Sequence, residues 1–565
     1  MSDSEAIPAP EGRAGIIDTE YEIGQDNIET SFGPFGLDIH NPVFLVSGLT
    51  IVVFVMITLA LGETAGDWFN ALRGWLTATL DWFFLLAGNI FVIFCLALIF
   101  TPYGSVRLGG VDATPDYNYL GWFSMLFAAG MGIGLMFYGV AEPLSHFQSS
   151  LGGTAVENGV RTDWAPLGAA ADNTEQAIRL GMAATIYHWG LHPWAVYALV
   201  ALALALFSYN KGLPLTIRSA FYPIFGERIW GWPGHVIDIV AVFATLFGLA
   251  TSLGIGAEQA ASGLTYLFGT GDADAGTRAF LGIPYGTTEE SGVTNSNLLL
   301  VLLIVGITLV ALVSVYRGLD GGVKRLSEIN MGLATLLLLF VILVGPTLMI
   351  VTGFFEYLWA YAAYAPALSM PFGREDANFS QGWTSFYWAW WISWSPFVGM
   401  FIARVSRGRT VREFIVCVLL IPSLVCVLWM TAFGGTAISQ VVTGTGTGVA
   451  DAALELKLFE MLAPLPLSTI TSFIGIVLVV VFFVTSSDSG SLVIDTITAG
   501  GKVNAPMSQR MFWCTFEGLV AIALLLGGGL GALQAMAVST GFPFAVILLL
   551  ACWAIWRGLA TEPRR

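Results

Sequence analysis

The sequence AAGMGIGL at residues 128–135 lies in the middle of an apolar stretch, 119–140, that is long enough to cross a membrane as a helix. Its three glycines, Gly130, Gly132 and Gly134, weaken helix propensity at that depth and allow a ligand to approach the main chain. Unwound backbone persists inside a membrane only where it lines a cavity. Glycines also occur where helices pack closely, so the spacing alone leaves both interpretations open.

The composition indicates that lipid surrounds most of this chain. Of its 565 residues, 56% are hydrophobic and 11% are charged, whereas a soluble protein carries about a quarter charged residues. The net charge of −16 argues against nucleic acid as a partner. Residues 1–40 hold nine carboxylates against one basic residue, Arg13, and lack the pattern of a signal peptide. We expect an acidic cytoplasmic tail that is disordered at least in part.

Twelve apolar stretches predict an all-α polytopic membrane protein with twelve transmembrane helices. Of the 23 lysines and arginines, 17 fall on one side of the membrane and six on the other if both termini are cytoplasmic. This asymmetry predicts cytoplasmic N- and C-termini in the cell (inner) membrane of a prokaryote. The stretches are 42–62, 79–101, 119–140, 177–207, 235–266, 297–316, 329–352, 384–403, 414–434, 467–498, 511–527 and 533–556.

The eighth stretch is a second unusual membrane segment. It contains FYWAWWISWSPF at residues 386–397, in which Pro396 removes a main-chain donor. Interrupted spans at corresponding places in two halves of a chain indicate a transporter's binding site. The third and eighth stretches each open a run of five, which predicts two leading helices followed by two five-helix repeats of opposite topology.

Tryptophans are dense in the fourth and eighth stretches. Most membrane tryptophans lie at the interface with water, and Trp383 fits that location. Trp391 and Trp394 lie about half-way across and one helical turn apart, as Trp194 and Tyr197 do in the fourth stretch. A desolvated cation–π contact contributes about 2 kcal/mol, and aromatic cages bind quaternary ammonium groups. The pattern favours a site for a methylated cation.

At these residues the sequence resembles the betaine/choline/carnitine transporter family, and in particular its sodium-coupled glycine betaine transporters. The resemblance spans roughly residues 40–557 and implies a LeuT-like fold of two inverted five-helix repeats after two N-terminal helices, usually assembled as a homotrimer. The matching stretches are GMGIGLMFYG at 130–139, HWGLHPWAVY at 188–197, FYWAWWISWSPFVGMFIARVSRGR at 386–409 and FFVTSSDSGS at 482–491.

The stretches and the resemblance together divide the chain into six parts. The extracellular loop of the family helps to hold the trimer, and residues 354–369 predict an amphipathic interfacial helix there. The parts are the tail at 1–40, two peripheral helices at 41–101, the first repeat at 119–352, the extracellular loop at 353–383, the second repeat at 384–557 and a short cytoplasmic C-terminus at 558–565.

The resemblance also implies the substrate site. The main chain of the third stretch faces the same substrate as a set of rings, through Gly130, Met131, Gly132 and Gly134. The rings form what we call the aromatic box, which consists of Trp189, Trp194, Tyr197, Trp391 and Trp394.

One sodium site is implied in the same way, between the third and tenth stretches. Carbonyl and hydroxyl oxygens suit a hard cation, and unwound helix supplies free carbonyls. Without the family, hydrogen bonds of Thr485 and Ser486 to their own helix would be the simpler interpretation. The implied ligands are the carbonyls of Ala128, Met131 and Phe482 and the hydroxyls of Thr485 and Ser486.

A second sodium site of such relatives is only partly represented. Thr245 and Phe397 match it, but Leu249 stands where the family has a hydroxyl. Ser252, one turn further along, could serve the ion or the substrate instead. The fifth and tenth stretches contain no lysine or arginine to replace an ion, which favours retained sodium coupling.

The expected function is uptake of a small quaternary-ammonium zwitterion, such as glycine betaine, by sodium symport with alternating access and without a cofactor. The glycine segment 128–135 carries no anion, which favours a zwitterion over choline. Choline, ectoine, dimethylsulfoniopropionate and sodium-independent exchange remain alternatives. An enzyme is disfavoured because no nucleophile motif is present, and a channel is disfavoured because the aromatic site is asymmetric.

Overall fold

The computed structural model describes residues 8–564 apart from 34, 131, 169, 272–277, 286–296, 318–323 and 447. The described residues are mainly helical. The helices are α1 Val43–Leu61, α2 Glu63–Phe100, α3 Tyr119–Gly130, α4 Ile133–Gly152, α5 Thr174–Trp189, α6 Leu191–Ala205, α7 Tyr222–Phe225, α8 Trp232–Phe268, α9 Asn297–Arg317, α10 Lys324–Val344, α11 Thr347–Leu368, α12 Ala377–Phe379, α13 Ser385–Val405, α14 Val411–Thr443, α15 Gly448–Asp451, α16 Lys457–Leu462, α17 Ser468–Thr498 and α18 Met507–Ala560.

Three small antiparallel hairpins accompany the helices. They are β1 Asn27–Phe32 with β2 Phe35–His40, β3 Val156–Glu157 with β4 Val160–Arg161, and β5 Ala279–Phe280 with β6 Ile283–Pro284.

The third predicted span is broken at the glycines. Helix α3 ends at Gly130, and α4 begins at Ile133 at an angle of 64° to it. Gly132 between them is fully extended, with φ −160° and ψ 179°. The interruption expected from the glycine segment is therefore present.

The eighth span, in contrast, is not interrupted. Helix α13 runs continuously through Pro396, so the sequence interpretation was wrong at this point. Proline has no N–H for the carbonyl of Ile392, and the Ser395 hydroxyl donates to that carbonyl instead, at 2.7 Å. The serine thus takes over the missing main-chain bond and keeps the helix intact.

Other breaks occur where the apolar pattern gave continuous spans. The fourth span divides at Gly190 into α5 and α6. By contrast, the non-helical backbone at Gly528 and Gly529 inside the long helix α18 falls in the predicted gap between the last two spans, 511–527 and 533–556. The seventh span ends at Val344 rather than at 352, and the next helix begins at Thr347 rather than at 354.

The N-terminal segment differs from the expected tail. From residue 8 it follows the protein surface, and residues 27–40 form the β1–β2 hairpin. Lys502 binds Asp38 at 2.6 Å and Glu29 at 3.0 Å, and the Gln509 side chain accepts the Asp38 main-chain N–H. These contacts fix a segment whose acidic composition indicated disorder.

A buried ion pair lies where this segment crosses the loop between α6 and α8. Arg218 binds Asp238 at 3.1 Å, with neither side chain exposed. The Tyr21 ring stacks on Trp230 with centroids 4.4 Å apart, and the Arg218 guanidinium lies over both rings. Burial lowers the pKa of the adjacent His40 to about 3, so this histidine is neutral and adds no competing charge.

Ten helical stretches of the described chain are long and apolar enough to cross a membrane, and the bent pair α3 and α4 makes eleven. The stretch containing α5 and α6 is almost wholly buried by other helices. Helices α1, α9, α10 and α11 expose large apolar side chains, among them Leu49, Leu309, Leu343 and Trp359. Such surfaces are satisfied by lipid, so these helices form the outer layer around a buried centre.

Candidate functional site

The buried centre contains a cavity of about 690 Å³ between the glycine break and helices α5, α6, α10, α13 and α17. Aromatic and aliphatic side chains form most of its wall, as is usual for small-molecule sites. All five residues of the predicted aromatic box line it: Trp189, Trp194, Tyr197, Trp391 and Trp394.

The rings of the box contact one another at defined angles. Trp391 lies edge-to-face against Trp189, with centroids 4.9 Å apart, and stacks on Trp390 at 4.8 Å. Trp194 and Tyr197 are edge-to-face at 5.2 Å. Mutual packing of this kind fixes the rings before a ligand arrives.

The helix break at Gly190 anchors two of these rings. Pro193 has no N–H to give to the carbonyl of Trp189, and the Trp194 indole donates to it at 3.3 Å. The Trp391 indole donates to the carbonyl of His188 at 2.9 Å. Carbonyls released by the break thus hold the tryptophans by their polar edges.

The other two tryptophans of the box are anchored in the same manner. Trp394 donates its indole N–H to the carbonyl of Gly248 at 3.0 Å, and Trp189 donates to the Glu142 carboxylate at 2.6 Å. Since all four indole N–H groups bind protein oxygens, the rings offer the cavity their π faces and carbon edges. Such a surface attracts a cation that has no hydrogen to donate.

The glycine segment lies directly against these rings. A side chain at Gly134 would place its Cβ 2.6 Å from Cη2 of Trp189 and 3.2 Å from Cη2 of Trp390. Gly132 and Gly134 both line the cavity, and Gly130 is the last residue of α3. Met131, predicted for both substrate and sodium, lies outside the described residues.

The predicted sodium ligands lie at one side of the cavity. Ala128, Phe482, Thr485 and Ser486 all line it. The Thr485 hydroxyl donates to the carbonyls of Val481 and Phe482, at 3.1 and 3.0 Å, so its proton is engaged within α17 while its oxygen can still accept or coordinate. Ala128 lies in α3 before the break and the other three lie in α17, so these residues share one cavity wall.

Two predicted residues lie away from the cavity wall. Thr245 is buried and donates to the carbonyl of Ala241 at 2.8 Å. Ser252 donates to the carbonyl of Gly248 and accepts the indole N–H of Trp390, so it supports a ring behind the cavity wall, and its contact with substrate stays a prediction. Phe397, assigned to the same second ion, does line the cavity.

Glu142 is not among the site residues that the sequence predicts. This side chain is fully buried behind Trp189, at the centre of a polar cluster that includes His188 and Tyr387. A lone acid within an apolar span is a functional signal in itself. Pro143, the next residue, lies inside α4 and does not end the helix.

The two ends of the cavity differ. One end reaches the exposed Glu328 at the start of α10. At the other end Tyr138 packs against Tyr387 and Trp390, with centroids 5.4 and 6.0 Å away, and closes the aromatic box from above. The cavity is therefore accessible from one end of the bundle.

A membrane bundle with broken helices around an aromatic, one-sided cavity defines a transporter of small organic solutes. The chain belongs to the betaine/carnitine/choline family of transporters, whose sequence pattern matches residues 42–564. It is a multi-pass membrane transporter and not an enzyme.

Three relatives illustrate the similarity. The chain is 65% identical to a glycine betaine/proline/choline transporter of Vibrio parahaemolyticus, over 99% of this chain and 97% of the relative. It is 52% identical to glycine betaine transporter 1 of the same organism, over 97% of this chain and 98% of the relative. It is 41% identical to the glycine betaine transporter OpuD of Bacillus subtilis, over 87% of this chain and 89% of the relative.

Proposed function

We propose that this protein imports a small quaternary-ammonium zwitterion, glycine betaine or a similar compatible solute, by sodium symport with alternating access. The observation that carries the proposal is the aromatic box, whose indole N–H groups are all bound by protein oxygens. Of the described residues that line the cavity, Glu328 alone is charged, and it lies at the exposed end. The π faces are therefore the natural partners of an onium group.

The relatives support the substrate class. Glycine betaine appears in the printed names of all three, and the relative with 65% identity also carries proline and choline in its name. These solutes share an alkylated, positively charged nitrogen, which carries no N–H donor in glycine betaine and choline. Such a nitrogen is the group that the aromatic box fits.

The number and order of the helices support twelve spans, ten of them in two inverted five-helix repeats. The long α18 crosses twice if its break at Gly528 and Gly529 marks a turn between spans, and the aromatic-rich α13 is the eighth span. Helix α11 then lies at the interface rather than across the membrane. Its exposed Phe355 and Trp359 are suited to that location, and to the contact surface of a homotrimer.

The predicted orientation gives the cavity a direction. With both termini cytoplasmic in the bacterial inner membrane, the end at Glu328 faces the cytoplasm, and the closure by Tyr138 faces outwards. This arrangement corresponds to the inward-facing state of an alternating-access cycle. Labelling of a cysteine placed at position 328 from inside, but not from outside, right-side-out vesicles would test it.

Uptake into proteoliposomes tests the substrate. We expect saturable uptake of labelled glycine betaine with sodium outside, weaker uptake of choline, ectoine or dimethylsulfoniopropionate, and little uptake when potassium replaces sodium. Failure to transport any methylated onium solute would refute the proposal. Equal uptake in sodium and potassium would favour the second candidate, sodium-independent exchange, for which the unbroken α17 at Thr485 is the supporting observation.

The sodium site is tested by Thr485→Ala combined with Ser486→Ala. We expect the sodium concentration for half-maximal uptake to rise about tenfold or more, because two coordinating oxygens are removed from a site made only of neutral oxygens. Thr471→Ala is the matched control, since Thr471 donates to its own helix in α17 but does not line the cavity. A double variant with unchanged sodium dependence would contradict the assignment.

A further inference from the structure

The Glu142 carboxylate has four polar neighbours within hydrogen-bond distance in the interior of the bundle. Oε2 accepts from the Trp189 indole and from the Tyr387 hydroxyl, each at 2.6 Å. Oε1 contacts Nδ1 of His188 at 2.5 Å and Nε2 of His146 at 3.3 Å. An ionised carboxylate has about four acceptor positions, and here each has a partner.

The arrangement suits the ionised form of Glu142. A protonated carboxyl would have to donate one hydrogen, whereas the Trp189 indole and the Tyr387 hydroxyl both donate to Oε2. His188 fits as a neutral ring, because its Nδ1 donates to Glu142 while its Nε2, 2.9 Å from the Thr384 hydroxyl, accepts from that group. In that state the cluster holds one negative charge, to which the Trp189 indole and the Tyr387 hydroxyl donate hydrogen bonds.

This charge reaches the cavity only through Trp189. Glu142 is fully buried and does not line the cavity, whereas Trp189 lines it and lies against the main chain of Gly134 at its far edge. An anion that accepts the indole N–H pushes electron density into the ring, and hydrogen-bonded groups polarise one another in this way at low dielectric. A more electron-rich ring attracts a cation more strongly.

We propose that Glu142 is a specificity-determining positioning residue, which acts through the Trp189 indole to make the aromatic box selective for positively charged onium groups. The inference rests on the proposed function and deepens it. The anion that the glycine segment lacks is present behind the ring, where it favours the onium charge of any substrate without contacting it.

The test compares glycine betaine with tert-butylacetate, its carbon analogue, in which an uncharged tert-butyl group replaces trimethylammonium. Competition against labelled betaine in proteoliposomes gives the affinity ratio of the two ligands. In Glu142→Gln we expect this ratio to fall about fivefold or more, because the cation–π contribution weakens. A purely structural role would lower both affinities equally and leave the ratio unchanged, which would overturn the inference.

Two further variants keep the test decisive if Glu142→Gln is poorly folded. Trp189→Phe keeps an aromatic face but removes the indole N–H, and we expect the same fall in the ratio, with no additional fall in the Trp189→Phe/Glu142→Gln double variant. Tyr387→Phe is the matched control: it removes a donor to Oε2 at the same 2.6 Å distance but does not line the cavity. We expect its ratio to match the wild type.

The outcomes separate the two proposals. Wild-type protein that transports no methylated onium solute refutes the proposed function. Wild-type protein that transports betaine, with an unchanged ratio in Glu142→Gln or in Trp189→Phe, refutes only the role of Glu142. In the double variant, the affinity ratio could instead fall by the effects of both single substitutions combined. This result would show that the charge acts through space rather than through the indole, and it would also overturn the inference.

Discussion

Replacement of Trp391 with alanine is expected to raise the half-saturating betaine concentration at least about thirtyfold, which corresponds to the loss of about 2 kcal/mol from one desolvated cation–π contact. Trp391 stacks on Trp390 and lies 4.9 Å from Trp189 and 6.3 Å from Tyr197, measured between ring centroids. Its removal leaves these neighbours unsupported as well as removing a π face. Binding of labelled betaine to purified protein measures the effect directly.

Trp383→Ala is the matched control for this substitution. Trp383 packs against His146 and Tyr387, with centroids 4.8 and 6.2 Å away, but does not line the cavity. We expect its half-saturating concentration to change less than about threefold, because cation–π attraction requires the ring to face the ligand. Losses of similar size in the two variants would mean that the aromatic box is wrongly assigned.

Gly134→Ala is expected to reduce betaine affinity about tenfold or more. The new Cβ would lie 2.6 Å from Trp189 and 3.2 Å from Trp390, closer than real contacts allow, so at least one ring must move. Overpacking of this kind typically costs 1–3 kcal/mol. The cost falls on the box itself, since the atom displaced first belongs to Trp189.

The same substitution two residues earlier provides the control. A Cβ at Gly132 has no heavy atom within 4 Å, and the extended backbone there accommodates any residue. We expect Gly132→Ala to bind betaine within about threefold of the wild type, because it adds volume without displacing a ring. If Gly132→Ala were the more damaging variant, main-chain flexibility rather than ring contact would be the property that the glycines supply.

The sequence predicted the elements whose signals are local. The glycine break and the helical character follow from residue type and spacing, whereas the full set of five rings in the aromatic box is what the family resemblance implies. Breaks at Gly190 and at Gly345 and Pro346 were missed because apolar residues continue on both sides of them. A window of mean hydropathy does not resolve one glycine or one proline.

Other features depend on contacts between distant residues, which a single sequence does not display. The continuity of α13 depends on the orientation of one hydroxyl, Ser395. The position of Glu142 depends on donors from α4, α5 and α13, which meet only in the folded bundle. The ordered N-terminal segment depends on partners hundreds of residues away, such as Lys502.

The N-terminal segment is synthesised well before the residues to which it binds. The Gly15 main-chain N–H donates to Glu562, 547 residues later, and Glu562 also binds Lys211. At about 5–20 residues per second, synthesis of that interval takes roughly 30 to 110 s. The segment around Gly15 is thus synthesised long before its partner Glu562, and it reaches its final place only after α18 is complete.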